Sequence, residues 1–249
     1  MLLPIGDQPN PRGPAPVTIL LIMANVAVFM MVTIPLSAVP PDPRDPRLLA
    51  YVQAIAPYLP QGMSLQSFVQ QISAYDLVVF QYGYRAAEPS AVSLFTAMFL
   101  HANLMHLLGN MLFLWIYGDN VEHRLGQFRF LFWYLATGVV ATLAHAAFAS
   151  GSPVPMVGAS GAISGVLGFY LIWFPRNRVR FLVLIPFFFH VILVPAWIAL
   201  GFYLLIDNLL PFLAVPDGTG VAYGAHIGGF IAGMAVAFLK GRGRRTGRL

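Results

Sequence analysis

Residues 130–175 read FLFWYLATGVVATLAHAAFASGSPVPMVGASGAISGVLGFYLIWFP, without one Lys, Arg, Asp or Glu. A transmembrane helix needs about 20 mainly apolar residues, so this stretch is long enough for two such helices. The run Ala149–Pro155 (ASGSPVP) is rich in turn-forming residues and separates the two halves. The stretch therefore predicts a helical hairpin that crosses a lipid bilayer twice.

The composition of the whole chain agrees with a lipid environment. Of its 249 residues, 58% are hydrophobic and only 9% are charged, whereas soluble proteins carry about 25% charged residues. This balance excludes a disordered chain, and the absence of cysteine excludes disulfides, thiol nucleophiles and thiolate metal sites. The lipid bilayer is the first partner that the sequence predicts.

Four other charge-free gaps along the chain each have room for one further span. Together with the hairpin they predict an all-α membrane protein, a bundle of six transmembrane helices. The predicted helices lie at 17–37, 92–116, 128–149, 157–174, 186–207 and 222–240.

Basic residues predict the orientation, because cytoplasmic segments of membrane proteins are enriched in Lys and Arg. With a cytoplasmic N-terminus, eleven of the fourteen basic residues lie inside. The net charge of +5 thus reflects topology, and we expect no nucleic acid as a partner. Both termini are expected in the cytoplasm, and the short loops favour a prokaryotic plasma (inner) membrane. For the first span, a cleaved signal peptide at 1–38 is the alternative.

The spans divide the chain into three parts. We expect a short cytoplasmic N-terminus at 1–16, a single membrane domain at 17–240 and a basic cytoplasmic tail at 241–249. The domain includes an extended outer loop at 38–91. Apolar spacing in this loop predicts two amphipathic helices, which either lie flat on the membrane surface or pack as a small cap.

Polar side chains at membrane depth are energetically costly, so each is a candidate functional residue. The second span carries His-Ala-Asn-Leu-Met-His-Leu-Leu-Gly-Asn, from His101 to Asn110. His106 and Asn110 are four residues apart and share one helix face. They are candidates for binding a developing negative charge, and interhelical hydrogen bonding is the alternative for both.

A serine with little steric shielding opens the fourth span. Ser160 lies between Gly158 and Gly161, and the N-terminus of a helix directs free N–H groups towards an oxyanion. His226 lies near the outer end of the sixth span. Small residues on both spans favour close packing that would bring His226 to Ser160; they are Gly161, Gly165 and Gly168 on the fourth span and Gly229, Gly233 and Ala237 on the sixth.

These residues predict acyl transfer without a cofactor or a metal ion. His226 as general base would take the Ser160 proton, Ser160 would attack a carbonyl to give an acyl-enzyme, and water would hydrolyse the ester. The Ser160 N–H, His106 and Asn110 would bind the oxyanion. Because no carboxylate is available to orient His226, the prediction is a dyad. By itself, the Gly-x-Ser-Gly pattern is equally typical of helix packing.

The three motifs resemble those of the rhomboid intramembrane serine proteases. The resemblance extends from about Asp76 to Lys240 and is most specific over residues 99–126, 158–165 and 225–229. It implies a six-helix bundle that cuts transmembrane segments of other proteins near their outer end. The roles that it implies are nucleophile for Ser160, base for His226, oxyanion contributors for His106 and Asn110, and structural roles for His101, Glu122 and Arg124.

One departure from the family pattern concerns the surroundings of the base. Some bacterial members have a Tyr one turn after the nucleophile, against the ring of the catalytic histidine. This chain has Ser164 at that position, so the sequence does not say what supports the ring of His226.

Two other functions are open at this stage. A metal-dependent protease would use His101, His106 and His226 as ligands, although a separation of five residues suits helical ligands poorly. A non-proteolytic rhomboid-like binder or chaperone of transmembrane helices would use the same groove as a protease.

Overall fold

A computed structural model of the protein describes residues 2–59, 62–185, 188–214 and 221–241. Three strands form one sheet: β1 (Leu2–Gln8), β2 (Arg178–Ile185) and β3 (Phe188–Pro195). The helices are α1 (Pro16–Ser37), α2 (Pro46–Ile55), α3 (Leu65–Gln71), α4 (Ala74–Tyr82), α5 (Ala91–Phe99), α6 (Leu104–Leu125), α7 (Gln127–Phe148), α8 (Ser160–Trp173), α9 (Ala196–Ala214) and α10 (Tyr223–Leu239).

The chain divides into two compact units. The first unit comprises Met1–Ile22, Gly109–His145 and Ser160–Leu249, and the second comprises Met23–Leu108 and Ala146–Ala159. The first unit contains the sheet and the helices α7 to α10, and the second contains the helices α2 to α5.

The helices confirm a mostly helical membrane protein. Among the described residues, three helices are long and apolar enough to cross a bilayer, namely α1, α7 and α9. A fourth candidate consists of α5 and α6 with a break between them, and α8 and α10 are shorter apolar helices. Every predicted span thus contains a helix, while the count of six membrane crossings stays a prediction.

Two predicted helices had the wrong bounds. The span predicted at 92–116 is interrupted after Phe99, and α6 begins at Leu104 and continues to Leu125. Asn103 causes the new start, because its Oδ1 accepts a hydrogen bond of 2.9 Å from the His106 N–H, as an N-cap does.

The span predicted at 186–207 is wrong in its first half. Pro186 and Phe187 lie outside the described residues, Phe188–Pro195 is a strand, and the helix runs over Ala196–Ala214. The strand pairs antiparallel with β2 along its whole length. Its sequence, FFHVILVP, is rich in β-branched and aromatic residues, which favour strands. His190, predicted on a helix, therefore lies on the sheet.

The outer loop predicted at 38–91 folds into helices within the second unit. α2 and α3 confirm the two helices expected from apolar spacing, and α4 follows them. Ser73 and Asp76 form a capping box at the start of α4, with each side chain accepting a hydrogen bond from the other residue's backbone N–H. The buried side chains of α4 are Tyr75, Leu77 and Phe80.

Helices α8 and α10 pack with their backbones in direct contact, as their small residues predict. A Cβ atom added to Gly233 would overlap the carbonyl oxygen of Gly165, and one added to Gly229 would overlap that of Gly161. Since a bilayer offers little hydrophobic drive for helix association, such close van der Waals contact is a main source of its stability.

We therefore expect Gly233→Ala to lower the melting temperature of the detergent-purified protein. Overpacking of this kind costs about 1–3 kcal/mol. Gly201→Ala on α9 is the matched control, because its added methyl group meets no described atom within 4 Å. Equal melting temperatures for the two variants, measured by circular dichroism, would contradict the packing described.

A buried carboxyl group fixes β1 to the first unit. Asp7 is buried, and its Oδ2 accepts a 2.9 Å hydrogen bond from Asn120 Nδ2 on α6 and another from the Tyr170 hydroxyl on α8. The pKa of Asp7 is raised to about 7, mainly by burial and in part by the nearby Asp119, while the hydrogen bond from Tyr170 opposes the rise. The strand lies within the segment predicted as a short N-terminus, and no sequence signal indicated it.

This raised pKa predicts a pH-dependent stability. Because the folded-state value lies above the ordinary value of 3.8, the protonated carboxyl stabilises the fold at low pH, and the contribution is lost as pH rises through about 7. We expect the melting temperature to fall between about pH 4 and pH 7, and to fall less in Asp7→Asn. The exposed-site variant Asp42→Asn should keep the wild-type pH dependence; an identical pH dependence in Asp7→Asn would contradict the prediction.

Candidate active site

The structure brings Ser160 and His226 together. Ser160 is the first residue of α8, and His226 lies in the first turn of α10. His226 Nε2 is 2.8 Å from Ser160 Oγ, and both residues are half-buried. A nucleophile and its general base need a separation of about this size.

The close packing of α8 and α10 produces this pair. The glycine contacts run along both helices from Gly161 and Gly229 onwards, one turn or less beyond the reacting side chains. With backbones in contact, the starts of the two helices lie side by side. Larger residues at these positions would separate Ser160 from His226.

The loop before Ser160 is fixed within the second unit. Met156 and Tyr84 exchange two backbone hydrogen bonds of 2.8 and 3.0 Å, and the Gly158 N–H donates to the Ala97 carbonyl at 2.8 Å. Gly158 has a φ of +124°, which residues with a side chain rarely adopt. The turn at this glycine allows α8 to start at Ser160, where the first N–H groups of a helix have no intrahelical acceptor.

Asn208 is a member of the site that the sequence reasoning missed. Its Oδ1 lies 2.6 Å from His226 Nδ1, and its side chain is only 2% exposed. The predicted helix ended at 207, one residue short of it. The sequence did contain an indication of Asn208, because it is an amide side chain within the apolar run between β3 and residue 214.

Ser164, one turn after Ser160, connects α8 with α9. Its Oγ is fully buried and lies 2.7 Å from the Tyr203 hydroxyl. The aromatic side chain that contacts this position is therefore supplied by another helix. The support for the ring of His226 that the sequence left open comes from Asn208 on the same helix α9.

Asn110, on α6, is a buried side chain with an unused donor. It is 8% exposed, and its Nδ2 has no hydrogen-bond partner among the described residues. A buried amide N–H without an acceptor is energetically costly.

His101 and His106 lie in the second unit, with their rings 5.1 Å apart. His101 is fully buried, and its backbone N–H and carbonyl both bond to the Tyr75 hydroxyl, at 3.2 and 2.9 Å. This double contact supports the structural role predicted for His101. His106 is half-buried in the first turns of α6, on the face it shares with Asn110.

Glu122 has the structural surroundings that the resemblance implied. Its carboxylate accepts hydrogen bonds from the Val17 N–H at 3.0 Å, and from the Thr18 N–H and hydroxyl at 2.7 Å each. It thereby caps the start of α1. The Arg124 guanidinium lies 4.4 Å from the centre of the Trp173 ring.

The described part of the chain gives no support to the metal-protease alternative. Within residues 2–59, 62–185, 188–214 and 221–241, no group of three or more His, Asp or Glu side chains could hold a metal ion. His101, His106 and His226, the ligands of that alternative, do not form such a group.

The apolar helices support an integral membrane protein, and a serine–histidine pair lies at the start of two of its packed helices. Residues 88–243 match the family model of the Rhomboid domain. The chain belongs to the rhomboid family, since this match covers more than half of it.

Relatives come from bacteria and from mitochondria. The chain is 39% identical over 148 residues to rhomboid protease GluP of Bacillus subtilis, which covers 59% of the chain and 26% of that protein. It is 30% identical over 145 residues to the mitochondrial presenilin-associated rhomboid-like protein of Bos taurus, covering 55% and 34%. With the mitochondrial RHOMBOID-like protein 6 of Arabidopsis thaliana it shares 31% over 150 residues, covering 59% and 42%. The chain thus spans less than half the length of these relatives.

Proposed function

We propose that this protein is an intramembrane serine endopeptidase that cleaves transmembrane segments of other membrane proteins. The observation that carries the proposal is the 2.8 Å contact between Ser160 Oγ and His226 Nε2 within a rhomboid domain. The name of the relative GluP, a rhomboid protease, supports it. Neither a cofactor nor a metal ion is part of the proposed reaction.

The first half of the proposed reaction acylates the enzyme. His226 Nε2 accepts the proton of Ser160 Oγ as the oxygen attacks the carbonyl carbon of the scissile peptide bond. The resulting oxyanion accepts hydrogen bonds from the Ser160 N–H, the Asn110 amide and His106. When the C–N bond breaks, the protonated His226 delivers its proton to the leaving nitrogen, and Ser160 remains as an ester.

The second half regenerates the enzyme with water. His226 Nε2 takes a proton from water, the hydroxide oxygen attacks the ester carbonyl, and the same donors bind the second oxyanion. Collapse returns the proton to Ser160 Oγ and releases a carboxylic acid. Two simple steps with one base thus replace a direct attack of water on an amide.

The proposed substrate class rests on the resemblance to the rhomboid proteases. A peptide bond within a stable helix has its carbonyl hydrogen-bonded, so a transmembrane substrate must unwind locally before attack. Small or helix-breaking residues near the cleaved bond favour such unwinding. The proposed partners are therefore the bilayer and transmembrane-protein substrates, and nucleic acid is not among them.

The proposed location is a prokaryotic plasma (inner) membrane, on the short loops and compact chain, with both termini in the cytoplasm, on the distribution of Lys and Arg. Residues 17–240 would form a single membrane domain. Of the proposed basic tail at 241–249, all but Gly241 lies outside the described residues.

A non-proteolytic binder or chaperone of transmembrane helices is the second candidate. Two relatives carry names that say rhomboid-like rather than protease. The same helices would serve this function, but it would need no activated serine.

A fluorophosphonate probe distinguishes the two candidates without a known substrate. We expect the detergent-purified protein to become labelled, because a serine next to a general base reacts with such probes. Ser160→Ala removes the nucleophile and His226→Ala removes the base, so both should lose the label. Circular dichroism and size-exclusion chromatography serve as controls for folding. Equal or absent labelling in all three folded proteins would favour the binder.

Asn110→Ala tests the proposed oxyanion donor. We expect a rate of labelling lower by about 10²–10³-fold, the usual effect of removing one such donor. Asn120→Ala is the matched control, since it removes another buried amide from the same helix, beside Asp7. An equal loss of labelling rate in both variants would indicate a general effect on α6 and contradict the assignment.

A further inference from the structure

Asn208 is a buried polar side chain of the site that has no role in the proposed reaction. Asn208 is 2% exposed and makes two hydrogen bonds. Its Oδ1 lies 2.6 Å from His226 Nδ1, and its Nδ2 donates to the Tyr203 carbonyl at 2.7 Å. Both bonds are short and partly buried.

The second of these bonds determines the direction of the first. A backbone carbonyl only accepts hydrogen bonds, so the amino group of Asn208 must face Tyr203. The carbonyl oxygen of the amide then faces the imidazole, and His226 Nδ1 must be the donor. A neutral imidazole with its proton on Nδ1 has an unprotonated Nε2, which is the state that can accept the Ser160 proton.

The backbone of α9 places Asn208 for this contact. Residues Leu205–Leu209 form a π-helical turn, which inserts extra backbone into an α-helix and is often found at functional sites. Within this turn Leu205, Ile206 and Asp207 are exposed, and only the following Asn208 is buried. The wider turn thus directs one polar side chain inwards.

A second contact fixes α9 against the nucleophile helix. Tyr203, whose carbonyl holds the Asn208 amide, also bonds through its hydroxyl to Ser164 at 2.7 Å. Ser164 lies one turn after Ser160 on α8. Asn208 is therefore held relative to both reacting residues, since α9 bonds to α8 at Ser164 and to α10 at His226.

We infer that Asn208 is the positioning residue of the catalytic pair: it holds His226 in the Nδ1-protonated tautomer and aims Nε2 at Ser160. The inference rests on the proposed function. Asn208 contacts neither substrate nor reacting atoms and acts through His226. When the ring becomes protonated during the reaction, the bond from Nδ1 to Oδ1 is kept, so the imidazole does not have to turn between the two halves of the reaction.

The test measures the rate of fluorophosphonate labelling against pH in detergent. Asn208→Leu keeps the number and branching of the side-chain heavy atoms but cannot accept a hydrogen bond from Nδ1. We expect it to label about 10–100-fold more slowly at every pH, because part of the 10²–10⁴-fold contribution of a general base is lost. Asp207→Leu, the matched control on the exposed side of the same turn, should label at the wild-type rate.

Asn208→Asp separates positioning from a merely structural role. Its carboxylate still accepts the Nδ1 proton, so labelling at high pH should approach the wild-type rate. The negative charge favours the protonated ring, so the acidic limb of the pH profile should move to higher pH by about one unit or more. Rescue of the labelling rate by Asp but not by Leu is the result that a hydrogen-bond acceptor for Nδ1 requires, whereas a merely structural residue would lower the melting temperature of Asn208→Leu without slowing its labelling.

The outcomes separate the inference from the function on which it rests. Wild-type rates in Asn208→Leu, or an unmoved acidic limb in Asn208→Asp, would overturn the positioning role while Ser160 stays the labelled nucleophile. If Asn208→Leu does not fold, the pH profile of Asn208→Asp decides alone. Absence of Ser160-dependent labelling in the wild type would overturn the proposed function and this inference together.

Discussion

The contact between the backbones of α8 and α10 is the interaction on which the site depends. Glycine at Gly165 and Gly233 lets a carbonyl oxygen approach where any larger residue would overlap it. In lipid, where apolar surface gains little by leaving the solvent, this proximity stabilises the pair through van der Waals contact. The same proximity places the first turns of the two helices side by side, so helix packing and the 2.8 Å contact of Ser160 with His226 have one cause.

Around this contact the polar groups form a short connected series. Ser160, His226, Asn208, Tyr203 and Ser164 are joined by hydrogen bonds of 2.6–2.8 Å across three helices. Burial of a polar group is costly unless it has a hydrogen-bond partner. A shift of one of these helices would break bonds of the series, so the series opposes such a shift. The Nδ2 of Asn110, which has no partner among the residues that the structure describes, departs from this rule. In the proposed function, the oxyanion is the acceptor for this donor.

The sequence predicted the parts that depend on local pattern. Missing charges located the apolar spans, and small residues around Ser160 and His226 indicated that their helices meet. It did not predict β3, because a short apolar run such as residues 188–195 fits a buried strand or a helix equally well by periodicity. Nor could it show Asn208, whose inward direction arises from a π-helical turn rather than from 3.6-residue spacing. In both places, tertiary contacts rather than the local sequence pattern determine the backbone conformation.

A neutral hydrogen-bond acceptor such as the Asn208 amide, placed beside the pair of Ser160 and His226, suits a site at the start of apolar helices. A carboxylate beside His226 would be a buried charge whenever the imidazole is neutral, and an unpaired charge at membrane depth is strongly unfavourable. An amide oxygen offers the same acceptor direction without that charge. The amide oxygen stabilises the protonated imidazole less than a carboxylate would. Its main contribution is therefore to orient the ring of His226. In a lipid-embedded protease of the proposed kind, a tautomer fixed by Asn208 would make the serine reactive while the resting site stays uncharged.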